Sequence, residues 1–374
     1  MKSMGQNKSI KILVIILILL IVVAGVLLAI KIIGDSNKQE VNNNVASQNS
    51  EQTNTATVVE VKEPQIFQGT ERPIAVMIDN HRGALPQAGL NDAYLVYEMI
   101  VEGGESRLMA LFKGVNLEQI GPVRSARHYF LDYALENDAI YVHFGWSPQA
   151  QSDISRLSVD NINGIYESST SFWRTKDKRA PHNVATSTEK ILEIANRKGY
   201  STQSNQESVL NYVADPVNLD SEMIATTVTI PYSDSNEVTY EYDEATQRYV
   251  RYDRGEKQVD WVTGETVTTK NIIIVKVKNT TLNDGENKGR QTLDNIKTLD
   301  GYYITNGKAI AITCEKTDRA EQTVYKDLEG NEIEVNDGNT FIQMCPIDSE
   351  IVIEPDEENA EEVQTNTIQT NTQE

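Results

Sequence analysis

Hydrophobic positions along this chain change their spacing several times, and each change marks a different kind of element. From Ile12 to Ile30 no charged residue occurs. As a helix rising 1.5 Å per residue, that stretch would be about 28 Å long and would match a bilayer core. Residues 12–33 are therefore predicted to form a single transmembrane helix. Lys2, Lys8 and Lys11 precede it with no acidic residue among them, which predicts a cytoplasmic N-terminus over 1–11 and an extracytoplasmic location for the rest. The run is too long for the apolar centre of a cleaved signal peptide, and Ala29-Ile30-Lys31-Ile32-Ile33 offers no small-x-small cleavage site. Residues 34–64 are rich in Asn, Gln, Ser and Thr and hold too little apolar surface to offset chain entropy, so they are expected to be a disordered linker. Residues 356–374, which follow Glu354-Pro355 and are acidic and then repetitive, are expected to be a disordered acidic tail.

Between these ends the pattern divides again. In 65–215, the apolar run Ile74-Ala75-Val76-Met77-Ile78 reads as a buried strand that ends in Asp79-Asn80-His81. Two further apolar runs, Leu95–Val101 and Arg107–Phe112, flank Glu102-Gly103-Gly104-Glu105 and predict a hairpin. Pro122 suits the first position of a helix reaching about Glu136. Asp138–Phe144 reads as a strand, Ser147-Pro148 as a helix start, and Thr186-Ser187-Thr188-Glu189 as a capping box for a helix that stops near Gly199. The fold class predicted for this region is mixed α/β within an α+β chain.

The region 223–355 has a two-residue period. Val238–Tyr242 and Arg248–Tyr252 alternate about Asp243-Glu244-Ala245-Thr246, Asn271–Val277 is a strand, and Asn306-Gly307 separates two more. Thr340–Cys345 is the last predicted strand, and no long helix intervenes. A second, mostly antiparallel β domain is predicted, with Ser204–Glu222 as the link.

A formal charge of −21 argues against nucleic acid as a partner, because phosphate neutralisation needs a basic face. Only two cysteines occur, Cys314 and Cys345; outside the membrane they either pair or stay as buried thiols, and the sequence leaves both open. No zinc spacing is present, and no metal or other cofactor is expected.

The candidate chemistry gathers in 65–215, which holds all four histidines. Arg124, Arg127 and His128 fall on the opening turns of the predicted helix at Pro122, where the macrodipole repels cations by about 0.3–1 kcal/mol. Two explanations stand. The arginines pair internally with Glu98, Glu102 or Glu105 on the hairpin upstream, or they and the helix start hold an incoming carboxylate or phosphate. Asp79, Asn80, His81, His143, His182 and Asn183 lie at strand ends or before helices, where sheet proteins place functional side chains. If their loops share one sheet edge, they converge with the arginines on one pocket. Signatures for a nucleophile elbow, a zinc protease, a phosphate loop or a dinucleotide site are absent. Ser187-Thr188-Glu189-Lys190 matches SxxK, but no Lys-Thr-Gly follows and the serine sits in a helix cap. Glu98 and Glu102 as paired carboxylates for glycan cleavage are a weaker option.

Several motifs recur in the order of a known family: Ile78-Asp79-Asn80, Pro86-Gln87-Ala88-Gly89-Leu90, Tyr97-Glu98 with Val101-Glu102-Gly103-Gly104, Ser106-Arg107-Leu108-Met109-Ala110, Gly121 to Arg127, and Pro181-His182-Asn183. In these the chain resembles the YerB-like family of Gram-positive envelope lipoproteins, built on a two-part domain of unknown function (3048). The N-terminus departs from it, a spanning helix standing in place of a lipidated cysteine. The resemblance implies surface display and no established activity. The function expected is a membrane-anchored envelope protein that binds an anionic cell-wall group or partner through the arginine-bearing segment. The alternative is an envelope hydrolase or transferase using His182, His81 or His143 as base, or as metal ligands with Asp79.

Overall fold

The computed structural model describes residues 62–355. The predicted transmembrane helix and the acidic tail lie outside them, and among the described residues no helix is long and apolar enough to cross a membrane. Fourteen strands and three helices within 62–355 carry the architecture. In chain order the strands are β1 Ile74–Asp79, β2 Leu95–Ile100, β3 Ser106–Phe112, β4 Ile140–His143, β5 Asn161–Asn163, β6 Thr227–Ser233, β7 Asn236–Asp243 and β8 Arg248–Asp253. They continue as β9 Asn271–Val277, β10 Thr298–Thr305, β11 Lys308–Glu315, β12 Val324–Asp327, β13 Thr340–Pro346 and β14 Val352–Glu354. The helices are α1 Phe130–Glu136, α2 Pro148–Arg156 and α3 Thr188–Lys198.

Ten strands make one sheet in the order β12-β11-β10-β9-β13-β2-β3-β1-β4-β5. The β1–β4, β4–β5, β2–β13 and β9–β13 pairs are parallel, while β3 runs antiparallel to both β1 and β2. Since β10 is antiparallel to both β9 and β11, seven strands, β1, β2, β4, β5, β9, β11 and β13, point the same way. Their apolar runs follow from this position: every residue of β1, β2 and β3 is buried, as strands covered on both faces require. A second sheet, β8-β7-β6-β14 with short flanking strands, is antiparallel. It alternates because one face is wet: Asn236, Val238 and Tyr240 are buried and Glu237 and Glu241 exposed.

The predicted hairpins β2–β3, β7–β8 and β10–β11 are all present. So are the helix starts at Ser147, which accepts from Ala150 N, and Ser187, which accepts from Lys190 N, and the left-handed stop at Gly199. Two features differ from the sequence reading. The last predicted strand, β13, is not part of an antiparallel domain of its own. It lies between β9 and β2, with Val96 opposite Phe341 on one side and Ile272 opposite it on the other. The regions 65–215 and 223–355 consequently share one sheet and one continuous apolar core. Such strand insertion leaves no trace in the two-residue period, since a β run looks the same whichever neighbour it meets.

The helix predicted from Pro122 is also different: it begins at Phe130. Residues 121–126 form an extended strap held on several sides. Asp79 N donates to Pro122 O at 2.8 Å, Val123 N to Val184 O at 2.7 Å, Arg124 N to Met77 O at 2.8 Å and Phe144 N to Arg124 O at 2.9 Å. These bonds satisfy the backbone from outside, so it has no need of helical partners. Gly121 is required at the start of the strap, because its φ is +146° and a Cβ would meet Val184 O at 2.8 Å.

Cys314 on β11 and Cys345 on β13 are separated by the whole of β10 and β9. Strands stand roughly 4.8 Å apart, so the thiols are out of reach of each other, and both are free and buried. Burial pushes both thiols up, Cys345 to about 12.

Candidate functional site

Because β1, β2, β4 and β5 run in one direction, their C-terminal ends share one edge of the sheet, and the loops after them carry most of the candidate residues. In sheets with parallel strands this edge is where ligands bind. Asp79 closes β1 and is almost wholly buried. Its Oδ2 accepts from His182 Nδ1 at 2.7 Å and stands 3.0 Å from Arg124 Nε, while Oδ1 accepts from His81 N at 3.2 Å. The His81 and His182 rings stack, with centroids 4.2 Å apart and planes 11° from parallel. Gly83 N donates to His81 Nδ1 at 3.0 Å. Four of the predicted residues, Asp79, His81, Arg124 and His182, thus meet around one carboxylate.

The Arg124 contact is one of charge. Its Nε is buried and makes no hydrogen bond despite its nearness to Asp79, so the N–H is not aligned on the oxygen. The rest of this guanidinium has no hydrogen-bonding partner among the described residues. Arg127 is different. It forms a two-pronged pair with Glu102, Nε to Oε1 at 2.6 Å and Nη2 to Oε2 at 2.8 Å, and Nη1 donates to Ala126 O. Burial raises the Glu102 carboxyl, but the Arg127 bonds and charge outweigh it and leave it below the usual carboxylate range. Neither arginine sits on a helix start, so the macrodipole argument does not apply to them.

Arg107, opposite Asp79 in the β1–β3 register, adds a third cation. Burial first, then the Arg127 charge, lowers its guanidinium to about 10. Three arginines therefore surround two carboxylates, a local positive surplus in a chain of net charge −21. Arg82, next to His81, lines an open polar cleft of about 670 Å³ shared with Arg254.

The other predicted residues go elsewhere. His143 ends β4 but turns inward: Nδ1 donates to Gly145 O at 2.8 Å and Nε2 lies 3.2 Å from Asn161 Oδ1. Burial lowers its pKa to about 4, which keeps the ring neutral. His128 contacts Thr292 Oγ1 at 3.0 Å, and burial lowers its pKa too. Asn183 organises its own loop, donating to Thr175 O and accepting from Arg174 Nη1.

Asn80 belongs to a buried ring of polar side chains. Its Nδ2 donates to Glu98 Oε1; Glu98 Oε2 accepts from Arg251 Nη2; Arg251 Nη1 donates to Gln258 Oε1; Gln258 Nε2 donates to Gln87 Oε1; and Gln87 Nε2 donates back to Asn80 Oδ1. Glu98, expected as a partner for Arg124 and Arg127, is spent on Arg251. Sequence reasoning missed Arg107 and Arg251. The signal was there: Arg107 opens an apolar run, and Arg251 shares the inward phase of Tyr249, so each is a charge on a face meant to be buried. Among the described residues no group of three or more His, Cys, Asp or Glu is arranged to hold a metal ion.

Comparison with known proteins agrees with this architecture. Residues 57–201 match the family described as "Protein of unknown function (DUF3048) N-terminal domain", and residues 228–342 match its C-terminal domain. A curated relative, named "Putative lipoprotein YerB", from Bacillus subtilis (strain 168), is 32% identical over 290 residues, 76% of this chain and 82% of the relative. The crystal structure of the YerB protein from Bacillus subtilis superposes with a TM-score of 0.68 at 30% identity, covering 76% of this chain and 94% of that one. The chain belongs to the YerB-like, two-part DUF3048 family, as its ordered motifs implied.

Proposed function

We propose that this protein is a membrane-attached, extracytoplasmic envelope protein that binds an anionic group, a carboxylate or phosphate of a cell-wall polymer or partner, at Arg124 and His182. One observation carries the reading: Asp79 holds Arg124 by charge alone, leaving most of the guanidinium without hydrogen-bond partners beside the His182–His81 stack. A guanidinium fork of this kind suits a planar or tetrahedral oxyanion. The nearby surplus of positive charge supports the same sign of ligand. For attachment, the relative's name supplies a lipoprotein, whereas the two cysteines of this sequence lie on strands β11 and β13. The anchor in this reading is the apolar segment Ile12–Ile30.

The test is titration of the full chain in lipid nanodiscs with glycerol phosphate and with glucuronate, comparing wild type with Arg124→Gln. At least one ligand should bind, and the substitution should weaken it roughly tenfold, the worth of one charge-assisted contact. Equal affinities for the two proteins would rule the reading out.

A second reading rests on the 2.7 Å bond from His182 Nδ1 to Asp79. In the neutral ring, a proton held there on Nδ1 leaves the lone pair on Nε2 at the far edge, which is the arrangement a general base for hydrolysis or transfer needs. Release of product from purified envelope glycan or teichoic acid by wild type, lost in His182→Gln, would favour catalysis over binding.

A further inference from the structure

A second cleft, outside the Asp79 cluster, lies where β4 and β5 end. It measures about 480 Å³ and is lined by Trp146, Tyr166 and Asn163, with Gln151, Glu167 and Lys198 around them. That size falls in the range of roughly 300–1,000 Å³ typical of small-ligand sites. Trp146 is fixed at the end of β4 by a parallel bridge to Ala126. Tyr166 ends the single turn Gly164–Tyr166, its ring 5.8 Å from that of Trp146 and inclined at 55°. Tyr166 is nevertheless 72% exposed, and Ile165 beside it 53%, so large apolar faces stand open to solvent next to amide and hydroxyl groups.

Asn163 is the informative residue. It is 5% exposed, and its Oδ1 accepts from Gly145 N at 2.9 Å and from Ile165 N at 3.2 Å. These two bonds fix the orientation of the amide, and its Nδ2 has no protein partner among the described residues. The cleft wall thus presents an oriented donor, open to water or to a ligand oxygen that enters. Of the two charged lining residues, Glu167 is paired with Arg197 and Lys198 lies over the Tyr200 ring, so no cluster of one sign lines the cleft to attract a strongly charged ligand.

We infer that this cleft binds a neutral glycan. A pyranose ring has one C–H face to lie on Tyr166 and Trp146 and a rim of hydroxyl or acetamido oxygens to accept from Asn163 Nδ2. The site goes beyond the anion site and shares no side chain with Asp79, Arg124 or His182.

The experiment is titration of the full chain, in saccharide-free lipid nanodiscs, with triacetylchitotriose and separately with maltotriose. Saturable binding of either supports the inference, chitotriose alone pointing to acetamido recognition and both pointing to the ring. Tyr166→Ala should weaken binding at least tenfold with an unchanged melting temperature. Asn163→Asp, which keeps both acceptor bonds and loses the donor, should weaken it too. Arg124→Gln should bind the sugars as wild type does. No binding of either sugar, full binding by Tyr166→Ala, or loss of sugar binding in Arg124→Gln would each overturn the assignment.

Discussion

Glu98 and Arg251 form an ion pair of 2.7 Å with both side chains wholly inaccessible to solvent, joining β2 of the first sequence region to β8 of the second. Glu98 also accepts from Ser106 Oγ at 2.6 Å and from Asn80 Nδ2 at 3.2 Å. Burial opposes the charge on Arg251, but Glu98 outweighs it and raises the guanidinium above its ordinary value. The pair locks the antiparallel sheet onto the large one. Removing one partner strands the other as a buried charge, at about 3–5 kcal/mol. Glu98→Ala and Arg251→Ala should each lose about that much in denaturant unfolding, and the double change should lose clearly less than the sum. Additive losses would mean that the two groups do not act as a pair.

His143 gives a pH dependence whose sign is fixed. Its folded pKa of about 4 lies below the ordinary 6.5, so the unfolded chain takes up the proton first. Stability from this group is therefore complete above about pH 6.5 and falls as pH drops towards 4, by about 3 kcal/mol in all. His143→Gln, which keeps a donor for Gly145 O, should flatten the melting temperature between pH 7 and 5. Parallel curves for variant and wild type would count against His143 as the source.

Arg124 and Arg127 should separate by experiment. Arg127→Gln breaks a two-pronged pair with Glu102 and should cost about 1.5 kcal/mol. Arg124→Gln, held by charge alone, should leave the melting temperature nearly unchanged while weakening anion binding. The reverse pattern would move the ligand contact to Arg127.

Cys314 and Cys345 should remain thiols without reductant. Neither should react with a thiol reagent in the native protein, because burial raises both, and both should react in guanidinium. A mass two units lower than the dithiol would disprove a strand order that sets β10 and β9 between them.

Local patterns were enough for most of the elements, and they singled out several residues that the fold brings together around Asp79. Strand runs, the Asn306-Gly307 turn, the Ser147 and Ser187 caps and the Gly199 stop are decided within a few residues by propensity, capping and period, so they are legible in the chain. Asp79 and His81 were legible for a related reason, since polar groups at the end of an apolar run mark the end of a strand, and His182 because it lies shortly before a capped helix start. Tertiary structure decided the rest. Whether 121–126 is a helix depends on whether Met77, Val184 and Phe144 offer their backbone to it, and those residues are remote in sequence. Whether Glu98 meets Arg127 or Arg251 depends on β13 entering beside β2 and bringing the second sheet over its face. Pairing energies belong to distances in space, and a sequence states only distances along the chain.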